Sequence, residues 1–214
     1  MEFLDYFLHI DQYLEQFLMQ YQQWFYVILF LIIFIETGLV IFPFLPGDSL
    51  LFATGMLAAS FPDQVNIYVV LLLLTVAAFL GDSVNYSIGK FLGKKLLKQK
   101  VFGKQLIQDK EIRKTENFFV KYGPKTIIIA RFVPIVRTLA PFVAGISKMH
   151  YRSFLTFNLL GGFIWVFALT LSGYFLGTIP LIKDNFEIMV FAIILFSLLP
   201  IAIEWLKSKL KTIH

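Results

Sequence analysis

The 214-residue sequence contains no cysteine. That excludes disulfides, thiolate metal sites and cysteine nucleophiles, and it leaves the redox compartment unreadable. Charge is scarce as well: 15% of residues are Asp, Glu, Lys or Arg, against 58% hydrophobic. Soluble domains carry about a quarter charged residues and are about half apolar. With a mean hydropathy of +0.75, the balance points to an integral membrane protein, of a length that leaves no room for a separate soluble module. The three histidines, His9, His150 and His214, are scattered, and interfacial or terminal placement explains them better than metal ligation. Neither HExxH nor GxSxG occurs, and a carboxylate–arginine cluster does not readily activate a serine. The chain therefore reads as a non-enzyme with no cofactor and no metal. Residues 1–22 hold Glu2, Asp5, Asp11 and Glu15 but no Lys or Arg, which is not the pattern of a signal peptide.

What is present is a series of apolar runs, two of them broken. Residues 1–20 alternate acids and glutamines with large apolar residues at helical spacing, predicting an interfacial amphipathic helix. The uncharged run from Trp24 to Ile35, with its flanks, predicts a first span ending near Glu36. Residues 37–60 are also apolar, but Pro43, Pro46 and Gly47 interrupt them. Each half is far shorter than the ~20 residues a straight crossing needs, so the expectation is a re-entrant hairpin. Such broken backbone is tolerated at membrane depth only beside protein or a wet cavity. A turn at Phe61-Pro-Asp-Gln and a span over 67–91 follow, the latter ending in small residues around Asp82 and Asn85. The segment 92–122 is basic, and 90–125 holds eleven Lys or Arg against Asp109, Glu111 and Glu116. Its middle is expected to lie as an amphipathic helix against anionic headgroups. Pro134 and Pro141 break the next apolar stretch, 123–147, predicting a second hairpin. Two more spans are expected over 153–178 and 186–206, with a turn near Pro180. Gly173 and Gly177 form a GxxxG pair suited to close helix contact. The net charge of +5 is concentrated in the central segment and the basic tail. Both should be cytoplasmic, which gives a multi-pass protein with N- and C-termini inside and the two hairpins entering from opposite faces. Fold class is then all-α integral membrane, with units 36–91 and 124–178 as an inverted repeat.

Two of these stretches carry charge at membrane depth: Glu36 through Asp48, and Ala130 through Pro141 with Arg131 and Arg137. Charges in hydrocarbon are costly and normally face a partner or a cavity. Two of each sign suggest one shared polar site. Arginine suits a phosphate because its charge is permanent and its planar fork binds oxygens bidentately. Arg131 and Arg137 are therefore the candidate headgroup ligands, and Glu36 and Asp48 their charge partners and proton carriers. Asp48, after Pro-Gly, is equally suited to capping the following helix. Asp82 and Asn85 are expected to support these groups from behind. The prolines and Gly47 are backbone devices. Most of the nine tyrosines, three tryptophans and 25 phenylalanines are expected to face lipid or the interface.

The strings Glu36-Thr-Gly-Leu-Val, Pro43-Phe-Leu-Pro-Gly-Asp-Ser-Leu-Leu-Phe52, Gly81-Asp82, Ala130-Arg-Phe-Val-Pro-Ile-Val-Arg137 and Ala140-Pro-Phe-Val-Ala-Gly145 resemble the DedA family. The resemblance covers essentially the whole chain. It implies a fold with two oppositely facing re-entrant hairpins, shared with eukaryotic VTT-domain lipid scramblases, in the bacterial cytoplasmic membrane. It implies that the residues matching Glu36, Asp48, Arg131 and Arg137 are needed for function. Some members return undecaprenyl phosphate to the inner leaflet, and others are linked to membrane homeostasis that depends on the proton motive force. The expected function is thus movement of a phosphate-headed lipid, with undecaprenyl phosphate or a phospholipid as partner. Protons are a further partner compatible with the carboxylates, a homo-oligomer is compatible with the chain, and no nucleic acid is implied. The alternatives are a non-selective phospholipid scramblase and a proton-coupled transporter of small solutes or drugs.

Overall fold

The computed structural model describes residues 10–39, 47–97, 100–101, 104–105 and 109–179. Pro43, Pro46, the turn at Pro180, the basic tail and the expected span 186–206 lie outside the described residues. So do residues 1–9 of the expected interfacial helix.

Within those limits the chain is helical throughout, apart from a two-residue antiparallel ladder pairing Lys100 with Gln105 and Val101 with Lys104. Helix α1 runs Ile10–Gly38 and breaks at Tyr21, whose backbone leaves helical geometry at φ −126°, ψ 28°. The break falls where the amphipathic stretch gives way to the uncharged run, so the two predicted elements are one helix with a kink. Helix α2 is Gly47–Ser60. The expected turn follows, and Asn66 caps helix α3, Ile67–Leu96: its side-chain oxygen accepts from the N–H groups of Tyr68 at 2.9 Å and Val69 at 3.3 Å, satisfying donors left open at a helix start. Helix α4, Asp109–Tyr122, ends where Gly123 turns to φ +57°, a conformation glycine adopts without Cβ strain. A short helix α5, Thr126–Ala130, and helix α6, Pro134–Ile146, are joined by a turn at residues 131–133. Helix α7 spans Tyr151–Gly177. Three stretches, Leu18–Gly38, Ile67–Gly93 and Tyr151–Gly177, are long and apolar enough to cross a membrane.

Two sequence expectations change here. Pro134 stands at the first turn of α6, where its missing N–H costs nothing, but Pro141 does not break the chain: α6 continues through it. The side chain of Asn85 braces this turn by donating to the carbonyl of Thr138 at 2.9 Å. The second correction concerns α4. Its apolar face, with Ile112 and Phe119, packs on Leu139, Phe142 and Val143 of α6, so the protein, rather than lipid, covers that face. Lys110, Arg113 and Lys114 remain exposed.

The described residues fall into two compact units. The first takes residues within 1–26, 46–70 and 168–214. In it, α2 and the end of α7 approach to backbone contact. A Cβ on Gly55 or Gly173 would collide with the carbonyls of Thr170 and Phe52, and one on Gly177 would sit 3.1 Å from the Cα of Met56. The GxxxG pair thus seats α2. The second unit, 27–45 and 71–167, gathers α3, α4, α5, α6 and most of α7 around the end of α1. Its core includes Ile127, Val136, Ala140 and Phe154, with Tyr86 stacked on Phe154 at 4.5 Å.

Candidate functional site: two buried ion pairs in the second unit

The site is built where glycines let α3 come close to α1 and α6. A Cβ on Gly81 would fall on the Thr37 hydroxyl, and one on Gly89 on the carbonyl of Phe142. These two glycines bracket Asp82 and Asn85 on α3 and hold both against their neighbours. Asn85 is fully buried, and its amide donates to the carbonyls of Thr37 on α1 at 3.0 Å and Thr138 on α6 at 2.9 Å. One side chain thereby ties the end of α1 to the first turns of α6, the two segments that carry Glu36 and Arg137.

Glu36 and Arg137 form an ion pair, with side chains 3% and 11% exposed. Each sits at the end of its helix where the dipole opposes its charge: Glu36 in the last turn of α1, Arg137 in the first turn of α6. Helix dipoles therefore do not favour either charge there, and the pairing offsets that cost. Arg131, in the turn after α5, forms a second ion pair, with Asp82. Its guanidinium also donates to the Asn158 side chain on α7 at 2.7 Å, and Asn158 is held in turn by the carbonyl of Phe79 at 3.0 Å. Gly161 and Gly162 give the guanidinium its room: a Cβ on Gly161 would lie 3.1 Å from Arg131 Nε.

Trp165 completes the arrangement. It is 1% exposed, and its ring lies 4.6 Å from the guanidinium carbon of Arg137 and 5.7 Å from that of Arg131. Both are cation–π distances. Among the described residues, Glu36 Oε2, Asn85 Oδ1 and Arg131 Nε are buried without a hydrogen-bond partner. Buried polar atoms are otherwise almost always paired, so the site holds acceptor and donor capacity that its own side chains do not use.

The sequence-predicted residues are thus distributed as follows. Glu36, Arg131, Arg137 and Asn85 come together in the second unit, and Asp82 joins them as the direct partner of Arg131. Asp48 belongs to the first unit, exposed in the first turn of α2, where its charge suits the helix dipole. Gly47, the first residue of α2, is buried. The sequence did not single out Asn158 or Trp165, and Trp165 is an exception to the expectation that most aromatic residues face lipid or the interface. Both carried a signal: each sits well inside an apolar span, where an amide needs a partner and where a tryptophan is out of place for an interfacial belt.

The VTT domain family matches residues 45–175. The chain is 47% identical to "Protein DedA" of Escherichia coli (strain K12) over 96% of its own length and 93% of that protein. It is 45% identical to "Uncharacterized membrane protein Rv0364" of Mycobacterium tuberculosis over 79% of this chain and 74% of that one. With "Inner membrane protein YqjA" of Escherichia coli (strain K12) the identity is 39% over 72% and 69%. No solved structure matches. Apolar helices of spanning length, the near-full-length likeness to Protein DedA, the likeness to relatives named as membrane proteins and the VTT domain match together make the chain a membrane protein of the DedA family.

Proposed function

We propose that this protein carries a phosphate-headed lipid across the bacterial cytoplasmic membrane, with undecaprenyl phosphate as the favoured cargo. The observation that carries the reading is the buried pairing of Arg131 and Arg137 with carboxylates inside helices of membrane-spanning length. A guanidinium at such depth needs an anion. Carboxylates fill that need at rest, and a phosphate ester competes for the same forks with more acceptor oxygens. Headgroup binding then means exchange: Glu36 or Asp82 releases an arginine, and the phosphate takes its place. Protonation of the released carboxylate removes the charge left behind, which links lipid movement to the proton gradient. The hydrocarbon tail stays in the bilayer throughout.

Helices α2 and α6, of 14 and 13 residues, reach only about 20 Å at ~1.5 Å per residue, short of a ~30 Å hydrocarbon core. That length supports reading them as the inner arms of two re-entrant hairpins, one in each half of an inverted repeat. The basic residues between Lys90 and Lys125 and the basic tail support a reading with both termini in the cytoplasm. In this reading the protein is a carrier without cofactor rather than an enzyme, and lipid and proton are its partners.

The test is transfer between leaflets in proteoliposomes. One leaflet is loaded with undecaprenyl phosphate or a reporter phospholipid, with or without a pH gradient. Faster movement of the polyprenyl phosphate, lost in Arg131→Lys and Arg137→Lys, is the expected result, with gradient dependence lost in Glu36→Gln. Equal transfer of all lipids without a gradient identifies a scramblase instead. Uptake of a soluble solute with no lipid movement sinks the lipid reading.

A further inference from the structure

We propose that Trp165 is the positioning residue of this site: a single indole holds Arg131 and Arg137 as one anion-binding unit, so that a phosphate monoester meets two guanidiniums rather than one. Only the identity of the occupant rests on the function proposed above; the joining of the two arginines stands on geometry alone.

Arg131 and Arg137 reach the site from different elements, the turn after α5 and the first turn of α6, and each has its own carboxylate on another helix, Asp82 on α3 and Glu36 on α1. Without a common neighbour these are two independent ion pairs. The common neighbour is Trp165, near the middle of α7, with both guanidinium carbons within 6 Å of its ring. Like charges repel, and two guanidiniums stay near each other only where negative potential lies between or beside them. The two carboxylates supply it at rest. The face of an aromatic ring supplies it permanently, through its quadrupole, and tryptophan does so most strongly.

The difference matters during exchange. When a carboxylate lets go, its arginine would be free to swing or to be expelled, since an uncompensated buried charge is costly. The indole keeps it in place, desolvated, with its fork free for a new acceptor. The unused donor Arg131 Nε lies on the same guanidinium and adds a further hydrogen bond for the incoming anion. Gly161 and Gly162 lie on the same helix as Trp165 and admit Arg131 against the α7 backbone. Helix α7 thus carries both the seat for one arginine and the ring shared by the two.

The experiment uses the full chain in detergent with Trp24→Phe and Trp205→Phe, which leaves Trp165 as its only tryptophan. Without ligand, a charge over the ring shifts its emission. The emission should therefore change in Arg131→Lys and in Arg137→Lys. If either substitution leaves it unaltered, that arginine is not held by the ring and the proposal is overturned. Dodecyl phosphate is then titrated, and saturable change of emission is expected, with sulfate and phosphocholine as competitors. In otherwise wild-type protein followed by calorimetry, Trp165→Leu should weaken dodecyl phosphate binding about tenfold or more, while Trp165→Phe, which keeps an aromatic face, should stay within about threefold. Equal affinities for the leucine and wild-type proteins would overturn the positioning role while leaving the lipid reading standing. Emission that responds to both arginines but not to dodecyl phosphate would do the reverse: the ring joins the arginines, and the occupant is not a phosphate monoester.

Discussion

The pairing of charges in the second unit can be tested by the energy it stores. Asp82 and Arg131 have side chains 7% and 3% exposed, so neither charge has water to fall back on. Removing one partner of such a pair strands the other and costs about 3–5 kcal/mol. Asp82→Leu should fall near the lower end, because Arg131 keeps its 2.7 Å bond to Asn158. Arg131→Met should fall near the upper end, because Asp82 then loses its guanidinium entirely. At about 2–4 °C per kcal/mol for a chain of this size, the melting temperature should drop by roughly 6 to 20 °C. Replacing both partners by apolar residues is often nearly neutral. The double variant Asp82→Leu/Arg131→Met should therefore recover most of the loss, with a coupling of at least about 2 kcal/mol. Far-UV circular dichroism of the purified protein during heating gives all four corners of the cycle. The control pairs Arg131→Met with Glu36→Gln, which belongs to the other ion pair and should couple by less than about 1 kcal/mol. Strong coupling to Glu36 together with weak coupling to Asp82 would refute the pairing, and with it the division of the site into two carboxylate–arginine pairs.

Two further outcomes follow from the packing. Gly89→Ala should destabilise the protein by about 3 kcal/mol or more, since the new Cβ meets the backbone of Phe142 and backbone cannot yield as a side chain does; wild-type thermal stability in this variant would mean that α3 and α6 do not cross there. Lys148 adopts φ +54° just past α6, and the N–H of Met149 bonds to the carbonyl of Ala144 at 2.9 Å, the helix-ending pattern in which glycine is usual at this position. Lys148→Gly should therefore raise stability by up to about 1 kcal/mol through relief of left-handed strain. A fall of similar size, read from the same melting curves, would show that the lysine side chain contributes more than its backbone costs.

The sequence by itself determined the class of protein and the whereabouts of its elements. A chain that enters a bilayer has to satisfy its polar backbone in helices or a closed barrel, and long continuous apolar runs such as 67–91 and 153–178 select helices and show where they lie. Charge at membrane depth has to be compensated, so Glu36, Asp48, Arg131 and Arg137 stand out in the sequence, as do Gly173 and Gly177 as a close helix contact. Composition and spacing did not determine who compensates whom. Asp82 became the partner of Arg131 because Gly81 and Gly89 bring α3 against α1 and α6 and so fix where Asp82 lies. Pro141 read as a break, yet α6 runs on through it, and Asn85, 56 positions earlier, braces the same turn by donating to the carbonyl of Thr138. The apolar side of α4 read as a membrane surface, yet it lies on α6: an amphipathic pattern specifies that one face is buried, not what buries it. Trp165 was one tryptophan among three, and only the folding of α7 against both arginines made it the ring they share. Periodicity and composition are properties of a segment and survive in the sequence; pairing is a property of two segments and exists only once the chain has brought them together.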